Sequence, residues 1–247
     1  MKRMLPKILL FVVITLLVTA LLAVFQQKIH LDYSIIVLPQ LAPALGFIIM
    51  ALLIRDLRIP INLYFSGPIV LRTLLALILP AALILASHYI GRNIGLDIQK
   101  LNAASPSLST LFLGMLIGAL GEELGWRSFL QPLLRREHSL LISSIIVGLI
   151  WGMWHIGHYK NGALFMLGFL LFTISASIIV ANLLRGTDHN IVISTAFHLS
   201  INVGFSLFFS NSLTDAKLQL VNGLVWLAIA TGITIAMQVG GKLSRSA

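Results

Sequence analysis

The chain has 247 residues, of which 58% are hydrophobic and only 10% are charged. Soluble domains carry about 25% charged residues, and so few ionisable side chains cannot cover the surface of a soluble protein of this length. The composition therefore excludes a soluble globular protein and indicates an integral membrane protein. The absence of cysteine also excludes disulfides, thiol nucleophiles and cysteine-ligated zinc.

Eight stretches along the chain are long and apolar enough for membrane-spanning helices, which need about 20 mostly apolar residues. We predict an all-α fold, a polytopic membrane helix bundle with about eight transmembrane helices in one domain over residues 1–247. The predicted spans are 8–25, 35–54, 69–89, 108–134, 140–159, 163–184, 191–209 and 218–239.

The basic residues that give the chain its net charge of +9 are distributed unevenly over the two sides of the predicted bundle. Eight crossings put every second loop on the same side, and eleven basic residues then lie on one side against five on the other. The richer side holds Lys2, Arg3, Lys7, Arg55, Arg58, Arg72, Arg135, Arg136, Arg185, Lys242 and Arg245; the other holds Lys28, Arg92, Lys100, Lys160 and Lys217. The positive-inside rule predicts that the richer side and both termini are cytoplasmic. The positive charge therefore indicates membrane topology and not nucleic-acid binding. We interpret the first predicted span as an uncleaved membrane anchor.

Ionisable side chains at membrane depth cost about 2.5 to 3.5 kcal/mol each, so each one needs a partner or a function. They are concentrated in three of the predicted spans. The fourth span carries Glu122, Glu123 and Arg127, the fifth carries His155, and the seventh carries His198 together with the neutral Asn202. At a rise of about 1.5 Å per residue, Glu122, His155, His198 and Asn202 lie roughly 14 to 24 Å from the basic ends of their helices. Three helices thus bring polar groups to one level, which predicts a cavity within the membrane.

Spacing assigns these side chains to helix faces. Glu123 and Arg127 are four residues apart and can pair, as His198 and Asn202 can share a face. The pair of Glu123 and Arg127 could serve only to lock helix packing. Glu122, however, points about 100° away from Glu123 and has no partner on its own helix.

Aromatic and small residues flank the polar cluster and give weaker signals. Trp126, Trp151 and Trp154 could line its cavity, although helix packing is the favoured interpretation of them. Gly121 and Gly125 would let helices approach closely, as small residues do in any bundle. The first three spans carry no comparable motif, so we place the function in the second half of the chain.

The cluster suits hydrolysis by an activated water molecule. A carboxylate in an apolar cavity beside an imidazole can deprotonate water, and Asn and His side chains can donate hydrogen bonds to the oxyanion of an amide being cleaved. Alternatively, Glu122, His155 and His198 could bind one zinc ion that activates the same water. The HExxH zinc signature is absent.

Three motifs in order resemble a known family. Glu-Glu-x-x-x-Arg at 122–127, aromatic-x-x-x-His at 151–155 and His-x-x-x-Asn at 198–202 resemble the CPBP intramembrane proteases. This family, also called Abi or CAAX protease and bacteriocin-processing, is related to the type II CAAX prenyl endopeptidases. The resemblance covers 108–209, the catalytic core of the family, and departs from its pattern at Trp151, where Phe is common.

The resemblance implies an intramembrane endopeptidase that cleaves membrane-associated peptide or protein substrates, in CAAX-like processing or in bacteriocin maturation and self-immunity. It implies that Glu122 is the general base, that His155 helps to activate water, and that His198 and Asn202 form the oxyanion site. Glu123 and Arg127 would support Glu122. Members are commonly labelled metalloproteases, while a metal-free mechanism has also been argued, so the cofactor is either none or a single Zn²⁺. The expected location is the bacterial cytoplasmic membrane.

Two other classes of function fit an intramembrane polar cluster. In a proton-coupled transporter, Glu122 and the histidines would be protonation sites. Transporters commonly have two related halves, whereas the polar motifs here lie only in the second half. In a non-catalytic membrane immunity or scaffold protein, the cluster would serve packing alone. In each case the lipid bilayer is a partner and nucleic acid is not.

Overall fold

The fold is known from a computed structural model that describes residues 4–54, 57, 61–98, 108–209 and 212–243. Throughout these ranges the regular structure is helical and no strand occurs, which confirms the predicted all-α class. The α-helices are α1 Leu5–Lys28, α2 Ala42–Leu53, α3 Gly67–Asn93, α4 Leu108–Gly125, α5 Gln131–Arg135, α6 Leu140–Trp154, α7 Ala163–Leu183, α8 Ile191–Phe208 and α9 Ala216–Leu243.

Within the described ranges, five helices are long and apolar enough to cross a membrane. They are α1, α3, α7, α8 and the Ala216–Val239 part of α9. Two shorter apolar helical stretches, Leu38–Leu53 and Leu140–Trp154, accompany them. The chain is therefore a polytopic integral membrane protein, although three of the eight predicted spans are shorter or broken.

The predicted span 35–54 becomes helical later than expected, because two prolines act as helix starts. Pro39 lies in the first turn of a 3₁₀ helix, Leu38–Leu41, and Pro43 lies in the first turn of α2. Proline lacks a backbone N–H and fixes φ, so it suits the first turn of a helix and not its interior. Residues 35–37 therefore form a non-helical segment next to α4.

The other two differences lie beside the polar motifs. The span 108–134 is divided into α4, a π-helical turn at Trp126–Leu130, and α5. The span 140–159 ends as an α-helix at Trp154, because His155 leaves the helix at φ −73° and ψ 62°, and a 3₁₀ helix, Ile156–Asn161, follows. Such irregular helical turns are frequent at functional sites.

Contacts at the two ends of α3 fix which loops lie together. At its start, Arg72 Nη1 donates to the carbonyl of Leu183 at 3.0 Å. At its other end, His88 Nδ1 lies 2.7 Å from the carbonyl oxygen of Phe208. The α7–α8 and α8–α9 connections therefore lie at opposite ends of the bundle, as alternating crossings require. Of the basic residues counted above, Lys2, Arg3, Arg55, Arg58, Lys100 and Arg245 fall outside the described residues.

One face of α4 consists of glycines, and the chain that leads into α2 lies directly on it. A Cβ at Gly114 would lie 1.8 Å from the backbone oxygen of Ile35, and one at Gly125 would lie 2.3 Å from Pro43 Cβ. A Cβ at Gly118 would lie 2.2 Å from Gln40 Oε1, and one at Gly121 would lie 2.8 Å from the backbone oxygen of Gln40. Only glycine allows such an approach. The N-terminal part of the chain is thereby held against the helix that carries Glu122 and Glu123.

Candidate active site

Glu122 lies at the centre of the buried polar cluster and is 0% exposed. Its two carboxylate oxygens have different partners. Gln40 Nε2 donates to Oε1 at 2.9 Å, and Trp151 Nε1 donates to Oε2 at 2.6 Å. On the remaining side, His198 Nε2 lies 3.9 Å from Oε2, which is too far for a direct hydrogen bond.

Glu123 links the guanidinium of Arg127 to the imidazole of His198. Its Oε1 accepts from Arg127 Nη1 at 2.8 Å and lies 2.8 Å from His198 Nδ1. Glu123 and Arg127 are each 1% exposed, so this is a buried ion pair. The resemblance implies that the two residues support Glu122, whereas the observed contacts of Glu123 join Arg127 to His198.

These contacts determine which ring nitrogens carry protons. A carboxylate only accepts hydrogen bonds, so His198 Nδ1 must be the donor to Glu123. A backbone carbonyl also only accepts, so His155 Nδ1 donates to the carbonyl of Trp151 at 2.8 Å. When an imidazole oriented in this way is neutral, its Nε2 is an acceptor with a free lone pair.

Trp151 contacts Glu122, Arg127 and both histidines of the cluster. The Arg127 guanidinium carbon lies 4.5 Å from the centre of its ring. The His198 and His155 rings lie 5.2 Å and 6.1 Å from it, centroid to centroid. The interpretation of Trp151 as helix packing is therefore incomplete, because its indole N–H also donates to Glu122. Trp126 and Trp154 pack against each other, edge to face, at 5.7 Å.

The structure thus brings Glu122, Glu123, Arg127 and His198 within one chain of contacts, and Trp151 connects His155 to it. Asn202 lies one helical turn beyond His198 on α8 and is half-buried. Irregular backbone aids this convergence: the π-helical turn holds Arg127 and the end of α6 holds His155.

The hydrogen bond from Gln40 to Glu122 was not predicted from the sequence. Gln40 lies in the predicted second span, which carries no motif, and its partner Glu122 is 82 residues away. A signal was nevertheless present, because an amide side chain at membrane depth needs a hydrogen-bond partner. No pattern in the sequence predicts that this partner is Glu122.

The arrangement does not fit a zinc site. Catalytic zinc needs three protein ligands around one point, and among the described residues no group of three His, Cys, Asp or Glu side chains could hold a metal ion. Both Glu122 oxygens and the Nδ1 atoms of His155 and His198 already face hydrogen-bond partners. The chemistry below is therefore derived from the side chains themselves.

The charges of the neighbouring side chains bear on whether the His198 imidazole carries one proton or two. Two carboxylates, Glu122 and Glu123, face one guanidinium, Arg127, in a region closed to water. An uncompensated charge is costly there. A protonated His198 imidazole, 3.9 Å from one carboxylate and 2.8 Å from the other, would make the cluster neutral.

An apolar cavity of about 700 Å³ lies between α3, α4 and α8. It is lined by Leu77 of α3, Leu120 of α4 and Leu199 of α8, among others. Leu120 is two residues from Glu122, and Leu199 follows His198. The cavity offers apolar space on two of the helices that carry the polar site.

The fold and the cluster together define a class: a polytopic helical membrane protein with a buried glutamate–histidine site. Residues 104–204, which include all three motifs, match the family described as type II CAAX prenyl endopeptidase Rce1-like. This match confirms the resemblance to the CPBP family that the three motifs indicate.

Similar curated proteins extend the likeness along the chain. The chain is 28% identical over 239 residues to lysostaphin resistance protein A of Staphylococcus aureus strain bovine RF122 / ET3-1, and equally to that of strain Newman. The alignment covers 94% of this chain and 56% of each relative. The chain thus spans little more than half the length of the curated relatives that it matches.

Proposed function

We propose that the chain is an intramembrane endopeptidase that hydrolyses peptide bonds of membrane-associated protein or peptide substrates. The observation that carries this proposal is the pairing of a fully buried Glu122 carboxylate with His198 Nε2 across 3.9 Å. At such a site, water can donate to the Glu122 carboxylate, and a substrate carbonyl oxygen can accept from a protonated His198 Nε2. The family match supports a CAAX-protease-like activity.

In the proposed reaction, Glu122 takes a proton from water while the water oxygen attacks the scissile carbonyl carbon. The carbonyl electron pair moves to oxygen, and the oxyanion accepts hydrogen bonds from His198 Nε2–H and the Asn202 amide. When the tetrahedral intermediate collapses, the C–N bond breaks and the proton held by Glu122 passes to the leaving amine. The neutral His155, with its free Nε2, assists by accepting a hydrogen bond from the attacking water.

The orientation of His198 adds a condition to this mechanism. Because Nδ1 donates to Glu123, a neutral His198 has no proton on Nε2 to give to the oxyanion. In the proposed mechanism His198 therefore acts as an imidazolium, with Nδ1–H directed to Glu123 and Nε2–H directed to the oxyanion. Glu123 and Arg127 then support the oxyanion site through His198.

We place the protein in the bacterial cytoplasmic membrane with both termini cytoplasmic, on the distribution of basic residues. The candidate substrates are proteins or peptides at that membrane, either CAAX-like or bacteriocin-related. The apolar cavity between α3, α4 and α8 suits a hydrophobic part of such a substrate. The motif-bearing core is residues 108–209 of a single membrane domain.

Replacing Glu122 with Gln tests the assignment. A general base contributes about 10² to 10⁴ in rate, so cells with Glu122→Gln should lack the new protein termini that the wild-type chain generates among membrane proteins. Mass spectrometry of membrane-protein termini measures this difference. The matched control is Glu137→Gln, the same change at an exposed loop position, which should retain all cleavage products.

The rival functions predict other outcomes of the same substitution. If termini are identical in cells with wild-type and Glu122→Gln protein, the protease assignment is wrong. Loss of ion-coupled flux in liposomes would then favour a transporter. A collapse in thermal stability with no cleavage to lose would favour a scaffold.

A further inference from the structure

We propose that Gln40 and Trp151 are positioning residues that hold the Glu122 carboxylate in a fixed orientation, each by donating a hydrogen bond to one of its oxygens. The inference rests on the proposed function of Glu122 and deepens it. Gln40 Nε2 donates to Oε1 and Trp151 Nε1 donates to Oε2, at 2.9 Å and 2.6 Å. We call this pair of donors the Glu122 clamp.

The clamp replaces the water that a buried carboxylate loses. Glu122 is 0% exposed, and a buried charge without hydrogen bonds is strongly destabilised. Indole is a donor only. The Gln40 amide must present its NH₂ group, because its oxygen would repel the carboxylate. With one donor on each oxygen, the carboxylate cannot rotate, and each oxygen keeps a lone pair for a proton.

Two further features hold Gln40 in place. On one side, a Cβ at Gly118 of α4 would lie 2.2 Å from Gln40 Oε1, so the amide lies flat against a helix surface without a side chain. On the other side, the fully buried Gln26 of α1 fixes the preceding segment. Its Nε2 donates to the carbonyl of Ile36 at 2.7 Å, and its Oε1 accepts from the backbone N–H of Leu38 at 2.8 Å.

Trp151 is held just as firmly. The Arg127 guanidinium covers its ring at 4.5 Å, and the His198 ring packs against it at 5.2 Å. A phenylalanine at this position would preserve an aromatic ring but would have no N–H for Glu122. Trp151→Phe therefore isolates the hydrogen bond from the packing.

Infrared spectroscopy can test the clamp without a substrate. The purified full-length protein is titrated with acid in detergent, and the carboxylic-acid C=O band that Glu122→Gln removes is assigned to Glu122. In Gln40→Met and in Trp151→Phe, we expect this band to appear at a pH about one unit higher than in the wild type. The carboxylate loses a donor in each variant and is protonated more readily.

Two controls separate the clamp from general effects of substitution. Trp226→Phe makes the same change at a fully buried tryptophan of α9, packed between Phe172 and Phe197, and should leave the Glu122 band at the wild-type pH. Gly118→Ala alters neither donor but displaces the flexible Gln40 amide, so it should shift the band as Gln40→Met does. If Gln40→Met does not fold, Gly118→Ala tests the same hydrogen bond from Gln40 to Glu122.

Cleavage kinetics supply the second readout. Each clamp variant should lower kcat about tenfold with KM unchanged, because about 1.4 kcal/mol of stabilisation corresponds to a factor of ten. The clamp is overturned if Glu122→Gln abolishes cleavage but both clamp variants titrate like the wild type. Full cleavage by Glu122→Gln instead overturns the proposed function, and with it the catalytic purpose of the clamp.

Discussion

At the scale of single residues, His198 shows how one contact determines a chemical role. Its Nδ1 faces Glu123 at 2.8 Å, so only Nε2 is directed towards Glu122. The sequence suggested that a neutral histidine could donate to the oxyanion, as Asn202 can. The observed contact requires instead that His198 be protonated to donate from Nε2.

This requirement predicts a bell-shaped dependence of kcat on pH. Activity should fall at low pH as Glu122 becomes protonated, and at high pH as His198 loses its proton from Nε2. Measuring kcat across pH for the wild type and for His198→Gln checks both limbs. The amide donates at any pH, so His198→Gln should lose the alkaline limb while kcat at the optimum falls by about 10² to 10³. An alkaline limb unchanged in His198→Gln would contradict this role.

Local contacts of the site could be predicted from sequence, whereas distant contacts could not. The pairing of Glu123 with Arg127 follows from their spacing of four on a helix. The donation from Gln40 to Glu122 joins residues 82 apart, and no periodicity relates them. The bond from Trp151 depends on the rotation of α6 relative to α4, which only tertiary packing fixes.

At the scale of helices, the glycine face of α4 brings the two halves of the chain together. Ile35 and Gln40 lie so close to Gly114, Gly118 and Gly121 that a methyl group on any of these glycines would overlap them. Two glycines of this face, Gly121 and Gly125, were predicted from the sequence as positions of close approach. The neighbour they accept is an irregular segment and the start of α2.

Substitution of one of these glycines should therefore destabilise the bundle. In Gly114→Ala the new Cβ would overlap the backbone oxygen of Ile35, and backbone cannot move as a side-chain tip can. We expect a loss of about 1 to 3 kcal/mol in the free energy of unfolding, measured by denaturation in detergent. Gly232→Ala, in open space on α9, is the control and should gain up to about 1 kcal/mol. Equal stability of the two variants would refute the close contact.

Hydropathy predicted where most helices lie, because each apolar stretch must be long enough to cross the membrane. It did not predict where they break. The α-helix α6 ends at Trp154, five residues before the predicted span does. His155 turns out of the helix, and its ring Nδ1 donates to the carbonyl of Trp151. Such breaks are stabilised by partners on other elements and by local side-chain bonds, which average hydropathy does not record.

At the scale of the whole molecule, basic residues and contacts divide the bundle into two ends. Arg72 bonds the carbonyl of Leu183 at the end that holds the α7–α8 connection. Ser212 Oγ donates to the carbonyl of Asp97 at the other end, at 3.5 Å. Arg185, another member of the basic-rich set that the structure describes, lies at the first end, directly after α7. Under the positive-inside rule, we expect this end to be cytoplasmic.

Single-cysteine labelling tests this orientation directly, because the chain has no cysteine of its own. Arg136 and Lys160 are exposed on the two connections that flank α6. A membrane-impermeant maleimide should label Lys160→Cys on intact cells, and Arg136→Cys only after permeabilisation. Arg185→Cys, exposed after α7, should behave like Arg136→Cys. Labelling of Arg136→Cys in intact cells would reverse the assigned orientation.

The contact between Gln40 and Glu122 also has a consequence for biosynthesis. A chain made from its N-terminus places Gln40 in the membrane before Glu122 leaves the ribosome, while Trp151 and His198 are made later. Gln40 is thus the first of the observed side-chain partners that the nascent Glu122 carboxylate can meet in the bilayer. The early helices, which carry no motif, can therefore act as a template on which the acidic helix inserts before the rest of the site exists.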